Sequence, residues 1–163
     1  MQAPMQAPMH AIDRRLADLG IELPEPAAPL AAYVGRVVHG GIVTVSGQLP
    51  LVDGAVAVTG RLGDDVSVED GARAARLCAI NLLAQVRAAC GGEWDRLDRA
   101  IRLGGFVAAT AEFTEHPAVI NGASQLVADA LGERGAHARA AVGVASLPLG
   151  AAVEVEGTFA LRG

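Results

Sequence analysis

The stretch His137–Glu156, HARAAVGVASLPLGAAVEVE, decides how this chain is read. Ala138–Val144 is a run of small and β-branched residues, suited to a strand. Leu147-Pro148 interrupts it, because proline fixes φ and offers no N–H to a ladder. Ala152–Leu161 then alternates. Strand side chains repeat every two residues, so Glu154 and Glu156 share one face and Val153 and Val155 the other. Two strands joined by Ala145–Ala151 are expected. They carry one cation, Arg139, and two carboxylates on segments otherwise fit for a core. Read alone, Arg139 is an ordinary ion-pair partner and the glutamates a solvated face.

Working outward, the other elements follow from periodicity and turn chemistry. Ser67–Ala89 reads as a helix. Ser67 with Asp70 forms a capping-box-like start. Val68, Ala72, Ala75, Ala79, Leu82 and Val86 make one apolar stripe, and Gly91-Gly92 ends it. A second helix runs from Pro117, suited to a first helical position, to about Leu131. Its stripe is Val119, Ile120, Ala123, Leu126, Val127 and Ala130. Arg99–Ala109 reads as a central strand. Tyr33–Gln48 reads as a hairpin around His39-Gly40-Gly41, and Gly54–Gly60 as a weaker strand or loop. Ile12–Leu19 is a short helix stopped by Gly20, and Ile21–Pro29 an extended Pro-rich connection.

The order β-β-α-β-α-β-β predicts an α+β two-layer domain. Two long helices, each apolar on one side, cover one face of a mixed sheet. The other face, rich in valine and alanine, is left bare, and self-association is the expected solution. Residues 1–8 are expected to be a disordered tail. Residues 9–163 are expected to form a single domain, with a leader helix and Pro-rich connection at 9–31 and a core at 32–162.

Composition excludes several function classes. All 13 basic residues among the 163 are arginines, so no lysine of this chain forms a Schiff base. The net charge of -5 disfavours nucleic-acid binding, which needs clustered cations. No apolar run is long enough to span a membrane, and MQAPMQAPMHA lacks the pattern of a secretory signal. Cys78 and Cys90 lie on or at the end of one predicted helix, about 18 Å apart at helical rise. That is too far for a disulfide, so both are expected reduced and structural, in a cytoplasmic setting. His10, His39, His116 and His137 are scattered and lack paired metal-ligand spacing. They read as surface or capping residues. No metal or cofactor is expected. GGIVTVSG is no dinucleotide fingerprint, since a strand rather than a helix follows its glycines. Ser46 lacks a nucleophile-elbow context.

Taken together, HARAAVGVASLPLGAAVEVE, VTVSGQLP and YVGRVVHGG resemble the YjgF/RidA family of enamine/imine deaminases, once labelled L-PSP endoribonucleases. The pattern covers about Tyr33 to Leu161, and Arg139, Leu147-Pro148 and Val153-Glu154-Val155-Glu156 meet the family motif without a gap. The resemblance implies a chorismate-mutase-like fold and a homotrimer with clefts lined by two neighbouring subunits. It implies that Arg139 grips a substrate carboxylate, Glu154 attends the reacting water, and Tyr33 is an active-site tyrosine. It further implies that Ser46 and Gly47 line the same pocket, with Asn121 and Phe106 as substrate-binding residues. By their own patterns Tyr33 is a packing residue, Asn121 a helix-surface residue and Phe106 core. Two departures mark a divergent branch. Ala141 stands where the family often has cysteine, and the segment before Asn121 is longer.

The constellation suits an imine of a 2-keto acid. Arginine binds carboxylate through a planar fork that stays charged. A substrate fixed beside a held water hydrolyses in a near-unimolecular step, and a carboxylate orients that water or moves its proton. The leading expectation is hydrolytic deamination of enamine/imine intermediates to 2-keto acids and ammonia. The alternative is a non-catalytic module that binds small carboxylate metabolites. A ribonuclease is disfavoured by charge and by the lack of paired histidines. A chorismate mutase would favour a second cation near Arg139, and none is placed there by the sequence.

Overall fold

The computed structural model describes residues 9–163; the tail expected over residues 1–8 lies outside them. In chain order the elements are α1 (Ala11–Asp18), β1 (Arg36–His39), β2 (Ile42–Gln48), β3 (Leu51–Val52), β4 (Ala55–Val56), α2 (Val68–Ala89), β5 (Leu97–Ala108), α3 (His116–Leu131), β6 (Ala138–Val144) and β7 (Val153–Leu161). The main sheet has the order β1-β2-β7-β5-β6. Its pairs are antiparallel except β5 with β6. Parallel neighbours need a crossover rather than a tight turn, and α3 is that crossover. The expected α+β architecture, a mixed sheet with two long helices on one face, is the one observed.

Each element has a local cause. The β1–β2 hairpin turns on Gly40 and Gly41, with φ of 56° and 74°; a two-residue primed turn requires this and side chains resist it. The strand expected from Tyr33 starts instead at Arg36. The Tyr33 N–H is spent on the Ala31 carbonyl at 2.8 Å, in a bend after Pro29, so it joins no ladder. The expected strand or loop at Gly54–Gly60 contains only β4, paired with β3 as a separate ribbon. Asp53-Gly54 is its turn, with φ of 50° and 80°. This Asp-Gly signal lay unread in the sequence.

The Ser67 hydroxyl accepts from the Asp70 N–H at 3.0 Å and so caps α2. Pro117 lies in the first turn of α3. Ala75, Ala79, Leu82 and Val86 of α2, with Val119, Ile120, Leu126 and Val127 of α3, are buried against Leu103, Val155 and Phe159 of the sheet. The leader helix joins this core through Ile12 and Leu16, and Trp94 Nε1 donates to Asp13 Oδ1 at 2.9 Å. Both cysteines are free and buried. Burial pushes both thiols up, Cys78 strongly, so they stay protonated and structural.

The sheet face opposite the helices carries Glu154, Glu156 and Thr158 of β7, Thr44 of β2, and Phe106 of β5. Val37 and Val142 on this face are 55% and 47% exposed. The face is bare as the one-sided helices predict, but it is mixed rather than simply rich in valine and alanine, with carboxylates and threonines among its exposed valines. No described helix is long and apolar enough to cross a membrane.

Candidate functional site

The sequence-expected residues fall into two groups on opposite faces of the sheet. Arg139 of β6 lies beside Leu103 in register and so points toward the helices. Its Nη1 donates to Asn121 Oδ1 at 2.8 Å and to Ser124 Oγ at 3.2 Å, and its Nη2 to the Pro117 carbonyl at 3.4 Å. All three acceptors lie on α3. Asn121 and Ser124 share a face because helix neighbours lie three apart. They line an open groove of about 560 Å³ with His137 and Arg139. Arg139 and Asn121, both expected at a site, are therefore brought together.

Glu154 of β7 points to the bare face, in register with Phe106 of β5. It enters a chamber of about 50 Å³, walled by Tyr33, Gly35, Gly47, Gln48, Pro148 and the leader residues Ala27–Leu30. A cavity of this size exceeds the roughly 10–15 Å³ that one water needs. Gly47 admits the carboxylate, since a Cβ there would overlap Glu154 Oε1. Burial, and secondarily the charge of Glu156, pushes the Glu154 carboxyl above its ordinary value. Glu156 itself pairs with Arg102 at 3.4 Å on the exposed face. Such a pair contributes about 0–1 kcal/mol to stability.

Ser46 is placed differently from its neighbours. Its hydroxyl donates to the Val34 carbonyl at 2.7 Å and its N–H to the Gly35 carbonyl at 3.0 Å. Ser46 thereby fixes the bulge of β2, where the register to β7 shifts between Val45 and Gln48. That bulge aims Gly47 at the chamber. Among the chamber's walls are Tyr33, Gly47 and Glu154, but not Ser46.

Sequence reasoning missed four contributors. Gln85 is 1% exposed. It accepts from Arg36 Nη1 at 2.7 Å and donates to the Ala27 carbonyl at 3.0 Å, pinning the leader over the chamber. Gln48, also buried, donates to the Ser46 carbonyl at 2.9 Å. Ser124 and His137 flank Arg139, with His137 Nε2 2.9 Å from Ser124 Oγ. The last two were legible: Ser124 follows Asn121 by three, and His137 precedes Arg139 by two, just before β6. Gln85 follows Asn81 by four on the same face of α2, but nothing local names Arg36 and Ala27 as its partners. Among the described residues, no three histidine, cysteine or acidic side chains are grouped to hold a metal.

Comparisons with known proteins converge on one family. The family model described as "YjgF/chorismate mutase-like, putative endoribonuclease" matches residues 13–159. The Trypanosoma cruzi protein TCP17 is 48% identical over 148 residues, covering 90% of this chain and 92% of its own. A crystal structure of an Agrobacterium tumefaciens protein of unknown function is 50% identical, with a TM-score of 0.87 over 93% of this chain and 94% of its own. Escherichia coli TdcF, solved with bound serine, is 25% identical, with a TM-score of 0.59 over 88% of this chain and 97% of its own.

Proposed function

This chain belongs to the YjgF/chorismate mutase-like family, and from that premise we propose that it hydrolyses imines of small 2-keto acids, releasing the keto acid and ammonia. The observation that carries this reading is the state of Arg139. Three of its N–H groups are held on α3, which leaves Nε–H and one Nη2–H as a two-pronged fork lining an open groove. A planar fork of that kind matches a carboxylate.

In the proposed step the fork holds the substrate carboxylate. Glu154, ionised, takes a proton from water as the water oxygen attacks the imine carbon. That proton passes to the nitrogen, giving a carbinolamine; the carboxylate then carries the hydroxyl proton to the amine, the C–N bond breaks, and ammonia leaves as the carbonyl forms. The raised pKa of Glu154 brings it closer to the range in which a carboxylate moves protons effectively near neutrality. Arg139 and Glu154 leave opposite faces of one sheet, so this chemistry needs a second copy to bring a fork against a chamber. The homotrimer with intersubunit clefts that the family resemblance implies would do so, and the bare sheet face supports self-association. Bound serine in TdcF carries the same carboxylate beside a nitrogen-bearing carbon. The net charge of -5 gives no support to an RNA substrate.

The test generates 2-aminoacrylate and bulkier imines in situ and follows keto acid and ammonia. Faster release with the protein is expected. Unchanged imine lifetimes alongside tight keto-acid binding would replace the deaminase with a binding module for small carboxylates.

A further inference from the structure

His137 and Ser124 belong to no step above, yet they form a directed chain that ends on Arg139. The Gly135 carbonyl lies 2.6 Å from His137 Nδ1. A carbonyl oxygen only accepts, so Nδ1 carries the proton. In the neutral ring Nε2 is then the acceptor. Ser124 Oγ, 2.9 Å from Nε2, must donate to it. The hydroxyl hydrogen is thereby turned toward His137, and the Ser124 lone pairs are turned toward Arg139 Nη1, 3.2 Å away. Asn121 Oδ1 takes the other Nη1 hydrogen at 2.8 Å.

We propose that Ser124 and His137 are positioning residues for Arg139: the chain Gly135–His137–Ser124 fixes the roll of the guanidinium so that its Nε–Nη2 fork faces the groove. The chemistry supports this more than a nucleophilic serine. Ser124 Oγ accepts from a cation, which withdraws electron density from it. The alternative fork, Nη1 with Nη2, is blocked by Asn121 and Ser124. Without Ser124 the guanidinium keeps only Asn121 and the long Pro117 contact and gains freedom to roll, so carboxylate affinity falls although the charge remains. The functional consequence rests on the carboxylate-clamp reading of Arg139; the fixed tautomer does not.

Two measurements on the full chain test the proposal. The first is binding of 2-oxobutanoate by calorimetry, with imine turnover alongside. Ser124→Ala and His137→Ala are each expected to raise Kd and KM about tenfold while changing kcat less. Ser124→Thr, which keeps the hydroxyl, is expected to restore binding. In an Arg139→Ala background Ser124→Ala should have no further effect, because a residue acting through Arg139 has nothing left to position. Unchanged affinity in folded Ser124→Ala, or losses that simply add to that of Arg139→Ala, would overturn the proposal.

The second is nitrogen-15 NMR of the ligand-free protein at neutral pH, with His137 assigned by its loss in His137→Ala. The expected result is the Nδ1–H tautomer, with Arg139 Nη signals that broaden or average in Ser124→Ala. An Nε2–H tautomer, or Arg139 signals indifferent to Ser124, would overturn the positioning role. If the wild-type protein binds no keto acid and turns over no imine, the carboxylate reading fails, and the NMR result alone decides whether Arg139 is held as proposed.

Discussion

At the scale of the residue, the proposed reaction divides the work between Arg139 and Glu154, and each makes a separable prediction. A two-bond clamp on a carboxylate contributes roughly 1.5–3 kcal/mol per bond. Arg139→Ala is therefore expected to lose about 100- to 1,000-fold in kcat/KM, measured with imines formed in situ, while the protein stays folded. Arg139→Lys should recover little, since an ammonium lacks the planar fork. In the proposed reaction Glu154 governs the pH dependence. Its native pKa is raised by burial and by Glu156, so activity should fall in acid at a pH above that of an ordinary glutamate, about 4.3. Glu156→Gln should shift this limb to lower pH, and Glu154→Gln should abolish it. Stability carries the opposite sign. The native state holds the Glu154 proton more tightly than the unfolded chain, so ionisation destabilises the fold as pH rises through the raised value. Glu154→Gln should raise Tm at pH 8 and leave it nearly unchanged at pH 4. A Gly47→Ala variant should fold, because the displaced atoms are the mobile end of Glu154. It should nonetheless lose activity as the carboxylate is pushed from its chamber.

At the scale of the element, the crossing of α2 and α3 is set by absence of side chain. A Cβ on Gly122 would meet the backbone carbonyl of Ala72, and one on Gly71 would press on Leu62 and Val119. Backbone cannot step aside as a side-chain tip can. Helix propensity alone makes Gly→Ala stabilising by about 1 kcal/mol; overpacking costs roughly 1–3 kcal/mol. Gly122→Ala is expected to lower Tm, by about 2–4 °C for each net kcal/mol. A rise in Tm on thermal melting would mean that the helices separate at little cost. This crossing also orients α3, and so sets where Pro117, Asn121 and Ser124 meet Arg139.

At the scale of the whole molecule, one sheet face is covered and the other is not. Valines about half exposed on the bare face and a proposed site divided between the two faces both favour assembly. Sedimentation at micromolar concentration should give three times the 16.6 kDa chain mass. A mass of one chain would leave Arg139 and Glu154 without a common substrate. Mutating the bare face, for example Val142→Glu beside Phe106 and Glu154, is expected to dissociate the assembly and abolish turnover together, while the keto-acid affinity of the Arg139 groove falls less.

By itself the sequence determined the elements whose signals are local. Ser67 as a cap, Gly40-Gly41 as a turn, the two helix stripes and the alternation through Glu154 and Glu156 each express a period or a dihedral demand that neighbours in the chain satisfy. The run from Arg139 to Glu156 also marked Arg139 and Glu154, while Tyr33, Ser46, Gly47, Asn121 and Phe106 entered through the family resemblance. Tertiary structure decided what no local period encodes. It set Arg139 on the helix face and Glu154 on the other, through the registers of β6 and β7 against β5. It spent the Tyr33 N–H in a bend, turned Ser46 from the chamber to the bulge, and brought Gln85 against Ala27 across 58 residues. Those outcomes follow from pairing register and from the demand that buried polar groups find partners, and both are properties of segments far apart in the chain that meet only in the folded protein.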